Sequence, residues 1–408
     1  MKYCLLGEKL SHSFSRILHE SLGARYALEE VEREKLGEFV LNSDYDGFNV
    51  TIPYKRQIIP YLDVLSDLAK RLGAVNTVKC ENGKMSGYNT DYYGFLQTLK
   101  THSVAVKGKT AMVLGSGGAS ATAVAALEDL GAKNVVVVSR KGETNYSNCY
   151  GVKDVSVIVN ATPVGTFPDY DSAPVDLERF SGIEFVFDLV YNPFRTKLLT
   201  VAEKLGVPHA NGAEMLVYQA LFSREIWTGE PVSNDNAKKC LAAIKNATVN
   251  IALVGMPSSG KSTVGKKVAE KLGKIFSDTD GEVFSLSGKT PESIIVERGE
   301  SEFRKVESVA IKNCLSRCGS VVATGGGAIL SPENRRILKQ TSFVVYIKRD
   351  LDKLVSDGRP LSKEIGVEGL FKERASLYEF VADLIVENNG GIEEVAERIV
   401  KGYEDFGY

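Results

Sequence analysis

The sequence predicts an α/β protein made of three consecutive strand-and-helix units. Three observations point there. Twice, near Lys107 and at Asn250, an apolar strand runs into a glycine turn and then a helical pattern: KGKTAMVLGSGGASATAVAALEDLG and VNIALVGMPSSGKSTVGKKVAEKLG. Ahead of both, the apolar runs YCLLG, FNVTI and NTV alternate with helical patterns over Ser15 to Leu22 and Ile58 to Leu72. A length of 408 residues, at roughly 150 per domain, leaves room for two or three domains with cores of their own.

Each unit follows from local pattern. The second continues past its glycine stop into the strand NVVVVSR, a βαβ unit that favours a parallel sheet. Short strands at Val155 to Val159 and Phe185 to Leu189 and helices at Ala213 to Ile226 and Asn236 to Ile244 follow it. The third adds strands at Val321 to Thr324, Phe343 to Ile347 and Leu384 to Val386. Between the last two units, Lys245 to Val249 is short and not rich in Gly, Ser or Pro, so they are expected to join closely.

Composition narrows the functional classes. Lys and Arg number 50 against 52 Asp and Glu, a net charge of −2, with 25% charged and 43% hydrophobic residues, which predicts a globular chain without a nucleic-acid surface. No apolar stretch approaches the ~18 residues of a spanning helix, so no membrane segment is expected. Export is not expected, because the N-terminal apolar patch is broken by Glu8 and Lys9. Six cysteines without a C-x-x-C pair and four scattered histidines give no zinc spacing and suit free thiols in a reducing cytoplasm. No heptad or apolar stripe speaks to oligomeric state.

Gly115, Gly117 and Gly118, with Ala119 behind them, stand where a strand meets a helix, so backbone N–H groups there can approach a pyrophosphate. The third glycine of the dinucleotide pattern is replaced by Ser120. After the next strand come Ser139, Arg140 and Lys141 rather than an acidic residue. A guanidinium fork and an ammonium suit a 2′-phosphate, which favours NADP over NAD.

Three polar clusters supply the remaining chemistry: Ser11, Ser13 and Ser15 in LSHSFS; Thr51 and Lys55 in NVTIPYK; Asn76, Asn89 and Asp91 in GAVNTV and GYNTD. Together with NATPVG, DLVYNPFRTKLL and NGAEMLVYQA, they resemble shikimate dehydrogenase over nearly all of the first 245 residues. The resemblance implies a two-lobed dehydrogenase with a Rossmann-like NADP domain. Ser13 and Ser15 would hold the substrate carboxylate, Thr51, Asn76, Asp91 and Gln219 its hydroxyls, and Lys55 with Asp91 would form the catalytic pair. It also implies Tyr191 beside the substrate, Gly212 and Met215 near the nicotinamide, and Asn160, Ala161 and Thr162 on the cofactor side. Reducing a ketone needs a proton donor beside the oxygen that gains charge, which an ammonium held by a carboxylate provides. Whether Lys55 is the acid or an electrostatic anchor stays open here.

Gly255-Met256-Pro257-Ser258-Ser259-Gly260-Lys261-Ser262 satisfies G-x-x-x-x-G-K-[ST] between a strand and a helix. Such a loop cradles phosphates in backbone N–H groups; Lys261 reaches the β- and γ-phosphates and Ser262, followed by Thr263, can ligate Mg²⁺. Asp278 and Asp280 point to one side of an extended segment, suiting one for the metal and one for an acceptor hydroxyl. Arg304, Gly325 to Gly327 and Arg374 add guanidinium forks and a glycine floor for a small hydroxylated carboxylate. This set resembles shikimate kinase from Asn250 to about Ile399. The resemblance assigns Asp280, Arg304, Gly325, Gly326, Gly327 and Arg374 to shikimate, Asp278 to a water-mediated magnesium contact, and Arg359 to a lid over the transferring phosphate. Ser258 stands where the family usually has another glycine, the lid looks short, and an arginine often found before R-P-L is absent.

The two resemblances imply successive reactions, an NADPH-dependent reduction to shikimate and an ATP- and Mg²⁺-dependent phosphorylation of it, on small-molecule substrates. The expected division is residues 1–248, with a substrate lobe of about 1–104 plus 220–248 and an NADP lobe of about 105–219, followed by a P-loop parallel-sheet domain over 249–408. Two other readings remain at this point: a P-loop half that only binds nucleotide or shikimate as a regulatory module, and a catabolic quinate/shikimate oxidoreductase as the first half.

Overall fold

Apolar runs of strand length dominate the chain, and the computed structural model, which describes residues 1–10, 13–354 and 366–407, gathers them into three sheets. The described residues divide into one unit of 1–191 with 196–244 and another of 192–195 with 245–408.

The first unit opens with β1 (Lys2–Gly7), β2 (Arg25–Glu30), β3 (Gly47–Val50), β4 (Val64–Leu65), β5 (Thr77–Glu81) and β6 (Lys84–Tyr88), in the order β2-β1-β3-β5-β6-β4. β1 runs parallel to β2 and β3, whereas β5 is antiparallel to β3 and β6. Asn82 and Gly83 turn the β5–β6 hairpin, both at positive φ (54° and 73°), as a tight Asn-Gly turn requires.

The helix expected over Ile58 to Leu72 is not continuous. Pro60 confines its start to a short turn at Ile59–Tyr61, β4 pairs with β6, and only Asp67–Leu72 is helical. Pro60 has no N–H for a helix interior. The Ser66 hydroxyl accepts the Ala69 N–H at 3.2 Å and starts the helix afresh.

The next sheet consists of β7 (Thr110–Leu114), β8 (Asn134–Val138), β9 (Val155–Asn160), β10 (Phe185–Asp188) and β11 (His209–Ala210), all parallel, in the order β11-β10-β9-β7-β8. It is covered on both faces, as parallel sheets are. Val113, Val157 and Phe187 pack with Phe95 and Leu99 of the helix Asp91–Thr101. Met112, Leu114 and Ile158 pack with Leu198 and Leu199.

In the second unit β12 (Asn250–Val254), β13 (Phe276–Asp278), β14 (Val321–Ala323), β15 (Ser342–Lys348) and β16 (Leu384–Glu387) form a parallel sheet of order β13-β14-β12-β15-β16. Ile251, Leu253 and Val345 pack with Val264 and Val268 of the helix Lys261–Leu272 and with Ile399. Each such buried side chain contributes about 2 kcal/mol. Of the residues read as a short link, Lys245 to Val249, all but Val249 form the last turn of the helix Asn234–Thr248.

At the end of β10, Asp188 is fully buried and accepts hydrogen bonds from Asn160 Nδ2 (2.8 Å), the Val190 N–H (3.0 Å) and Thr196 Oγ1 (2.6 Å). Burial outweighs these donors and pushes its carboxyl up to about 7. The native state then binds the extra proton between about pH 4 and about pH 7, so this group's contribution to stability falls as pH rises across that window. Asp188→Asn is expected to gain on the wild type as pH rises there, by no more than about 1.4 kcal/mol per pH unit. Thermal unfolding of both chains over that range checks it; a constant difference would refute it.

Candidate active sites

In the first unit a cavity of about 530 Å³ collects residues from distant stretches of sequence. Ser13, Ser15, Thr51, Lys55, Asn76, Asp91, Tyr191 and Gln219 line it, as do Ala119, Gly212 and Met215. Thr51 follows β3, Asn76 precedes β5, and Asp91 starts the helix after β6. Lys55 Nζ donates to Asp91 Oδ2 at 2.6 Å, and Asn76 Nδ2 donates to Asp91 Oδ1 at 2.9 Å. The carboxylate is thus held on both oxygens, and the half-buried ammonium is fixed at the cavity wall. Ser11 lies outside the described residues.

Part of the wall is a polar cluster around Asn49 that sequence reasoning missed. Buried Asn49 accepts from Tyr26 Oη (2.7 Å) and donates to the Asn76 carbonyl (3.2 Å), Thr77 Oγ1 (3.1 Å) and Ser223 Oγ (2.9 Å). The Thr90 N–H donates to Asn76 Oδ1 at 2.7 Å. With its amide engaged on both ends, Asn76 has one orientation toward Asp91. The signal was present as an Asn inside the buried strand FNV, which demands partners.

Gly115 directly follows β7, at φ 111°, and the helix Gly118–Asp129 begins beyond the turn. A Cβ on Gly117 or Gly118 would meet nothing within 4 Å, so the turn presents open backbone at a helix N-terminus, which fits a pyrophosphate. Ser120, in place of the third glycine, donates to the Gly115 carbonyl at 2.7 Å and closes the turn itself. Arg140 and Lys141 are exposed just beyond β8, on the carboxyl edge of the sheet, with Ser139 partly buried beside them. Asn160 is fully buried: it bonds Asp188 and accepts from the Thr162 N–H (3.0 Å) and hydroxyl (2.7 Å), so it shapes the Ala161–Thr162 loop. The Tyr191 phenol meets Phe14 edge-on and is raised above its ordinary pKa by burial.

In the second unit a cavity of about 660 Å³ runs from the phosphate loop to Arg374. Ser258, Gly260, Lys261, Ser262 and Thr263 line one part; Asp280, Arg304, Gly325, Gly326, Gly327 and Arg374 line another, with Asp278 between. Gly255 and Ser259 lie in the same loop, Ser259 fully buried. Lys261 Nζ donates to the carbonyls of Gly255 (3.0 Å) and Met256 (2.8 Å). Ser262 Oγ donates to Asp278 Oδ2 at 2.6 Å, an oxygen pair of the type that holds Mg²⁺ together with phosphate and water. Ser258 stands at φ 63°, where a Cβ costs about 1–2 kcal/mol, so the serine at the extra glycine position sits in backbone that glycine adopts freely.

Glu307, which sequence reasoning also missed, is buried behind Arg304 and accepts from its Nη1 at 2.7 Å, while Glu300 accepts from Nη2 at 2.6 Å. Burial pushes the Glu307 carboxyl above its usual range, against the pull of Arg304. The i+3 spacing from Arg304 on one helix was its sequence signal. A Cβ on Gly327 would collide with both terminal guanidinium nitrogens of Arg304, and one on Gly325 would stand 2.7 Å from Glu307 Oε1. Arg374 is buried, with Nε 3.3 Å from Glu373. Arg359 lies outside the described residues.

Two family models match the chain. Residues 5–78 match the shikimate dehydrogenase substrate binding domain and residues 257–404 match shikimate kinase. The chain is 39% identical over 247 residues to the shikimate dehydrogenase (NADP(+)) of Clostridium beijerinckii, covering 55% of this chain and 91% of that one. It is likewise 39% identical over 255 residues to that of Methanococcus maripaludis, covering 55% and 91%. A solved chorismate mutase/shikimate 5-dehydrogenase fusion protein from Clostridium acetobutylicum aligns with a TM-score of 0.57 at 36% identity, over 60% of this chain and 97% of that one. The shikimate 5-dehydrogenase of Thermus thermophilus, in complex with NADP(H) and shikimate, aligns with a TM-score of 0.54 at 31% identity, over 59% and 98%.

The glycine floor gives a direct test. Gly327→Ala is expected to push the Arg304 guanidinium off Glu307 and Glu300 and to lower the stability of the second unit by up to about 1–3 kcal/mol, the cost of leaving buried Glu307 unpaired. Gly281→Ala, in the helix Thr279–Ser287 with open space at its Cβ, is expected to raise it by up to about 1 kcal/mol. Urea unfolding of the two variants separates the outcomes.

Proposed function

The chain belongs to the shikimate dehydrogenase family and carries a shikimate kinase domain in residues 257–404, and from that premise we propose how its two cavities work in sequence. It is a bifunctional enzyme of the shikimate pathway: the first activity reduces 3-dehydroshikimate with NADPH, and the second phosphorylates shikimate with MgATP. The functional division taken here is 1–248 for the dehydrogenase and 249–408 for the kinase, in the cytoplasm. One observation carries the reading: in the second unit a single cavity is bounded both by the phosphate loop and by a cation–carboxylate set, and in the first the Lys55–Asp91 pair lines a cavity that reaches Ala119, in the helix that the glycine turn opens.

Bound NADPH supplies a hydride and bound MgATP a phosphoryl group; the chain's own side chains do the rest. In the first cavity Ser13 and Ser15 take the substrate carboxylate, while Thr51, Asn76 and Gln219 fix its hydroxyls. Lys55 donates a proton to the ketone oxygen as hydride reaches the carbonyl carbon, and Asp91 holds Lys55 in line. The Gly115–Ala119 turn takes the pyrophosphate and Arg140 with Lys141 the 2′-phosphate. In the second cavity Arg304 and Arg374 take the carboxylate and Asp280 orients the hydroxyl made by the first reaction. Lys261 and Arg359 neutralise the transferring charge, and Ser262 and Asp278 hold Mg²⁺. A purely regulatory second unit would have no need of a hydroxyl-orienting Asp280 or a Ser262–Asp278 pair.

Purified chain given 3-dehydroshikimate and NADPH, with and without MgATP, is expected to consume NADPH and, with MgATP, to form shikimate 3-phosphate. Lys55→Ala should cut reduction by about 10²-fold or more and spare phosphorylation, and Lys261→Ala should do the reverse. Loss of both activities in either variant would overturn separate sites. Arg140→Ala should narrow the preference for NADPH over NADH by about tenfold or more, the loss of one charge-assisted phosphate contact; unchanged coenzyme kinetics would remove Arg140 from the site.

A further inference from the structure

One cation of the second cavity has no part in the reading above. Arg349 directly follows β15, the neighbour of the phosphate-loop strand β12, and lines the cavity. The cavity's other arginines are matched: Arg304 by Glu300 and Glu307, Arg374 by Glu373. Lys261 is anchored on loop carbonyls. Arg349 makes no hydrogen bond or ion pair among the described residues, and its Nε is buried without a partner. Its neighbour Asp350 is engaged elsewhere, by Lys353 (2.9 Å) and Asn389.

Position says which ligand this unmatched charge faces. A Cβ built on Gly260 would lie 4.0 Å from Arg349 Nη1, so the guanidinium stands beside the last glycine of the phosphate loop. Arg304 instead touches Gly327. The loop's flank here is fixed: Asn388 donates its side-chain N–H to the Ser259 carbonyl and its backbone N–H to the Lys348 carbonyl, both at 2.7 Å. A rigid loop, a neighbouring guanidinium and a buried unsatisfied N–H together describe half of a charge-assisted contact.

We propose that Arg349 is a nucleotide-binding residue of the kinase site, with its guanidinium on the phosphate chain of ATP and ADP at the Gly260 end of the loop. The proposal rests on the kinase reading. It supplies a cation on the nucleotide side in a chain that lacks the arginine often found before R-P-L.

The test uses the full chain as wild type, Arg349→Met and Arg349→Lys. Kinase kinetics are measured with MgATP and shikimate, and binding of MgADP, adenosine and tripolyphosphate by calorimetry. Arg349→Met should raise the KM for ATP and the Kd for MgADP and tripolyphosphate about tenfold or more, with the shikimate KM within about twofold and adenosine binding unchanged. Arg349→Lys should recover part of the loss. NADPH-dependent reduction by the same preparations, together with an unchanged Tm, reports an intact chain. Unchanged ATP and ADP constants in Arg349→Met would overturn the proposal, as would an equal loss for adenosine, which would put the side chain on the base. A wild type that neither binds MgADP nor phosphorylates shikimate would overturn the kinase reading and this proposal with it, an outcome distinct from an insensitive variant.

Discussion

Both sites depend on one constraint: a multiply charged phosphate chain is best met by backbone N–H groups that converge on a point, and a chain achieves this where a strand turns directly into a helix. Parallel sheets deliver such a turn at a common edge. β7 and β12 each lie inside their sheets with neighbours on both sides, so the turn after each is fixed from both flanks. The polar side chains that line each cavity are then brought in from neighbouring elements, and their sequence separation is large.

Charge inside these cavities is kept in place by hydrogen bonds among the residues that line them. Asn49 orients Asn76, Asn76 holds one oxygen of Asp91, and Asp91 holds Lys55. In the second unit Glu307 does the same for Arg304 from behind. Both are buried polar groups whose cost their hydrogen bonds offset, Asn49 through four contacts and Glu307 through its Oε2 alone, so each ties the geometry of a site to the packing of its unit.

The candidate residues that line the two cavities were largely legible, because they occur in short runs whose spacing has a local cause: glycines at a strand–helix turn, an aspartate two residues from another, a lysine after a loop. What escaped was settled by tertiary neighbours. Asn49 and Glu307 look unremarkable until strands and helices bring Ser223 or Arg304 against them. The antiparallel arm of the first sheet escaped despite Asn82-Gly83, because two flanking strands of modest apolar content hid the hairpin. The break inside 58–72 was readable from Pro60 and Ser66, yet helical periodicity on either side masked it. Arg349 carried no motif at all; only its missing partner marks it.

The hydrogen bond from Asn388 to the Ser259 carbonyl joins residues 129 positions apart. During synthesis the phosphate loop therefore leaves the ribosome long before the strand that braces it exists, a delay of about ten seconds at typical elongation rates. Over that interval Ser259 has water where the finished protein has an amide. The first unit's residues, complete by Ile244, are by then free to fold. The two activities carried by one polypeptide thus come into being at different moments of its birth, the reductive one ahead of the one that uses its product.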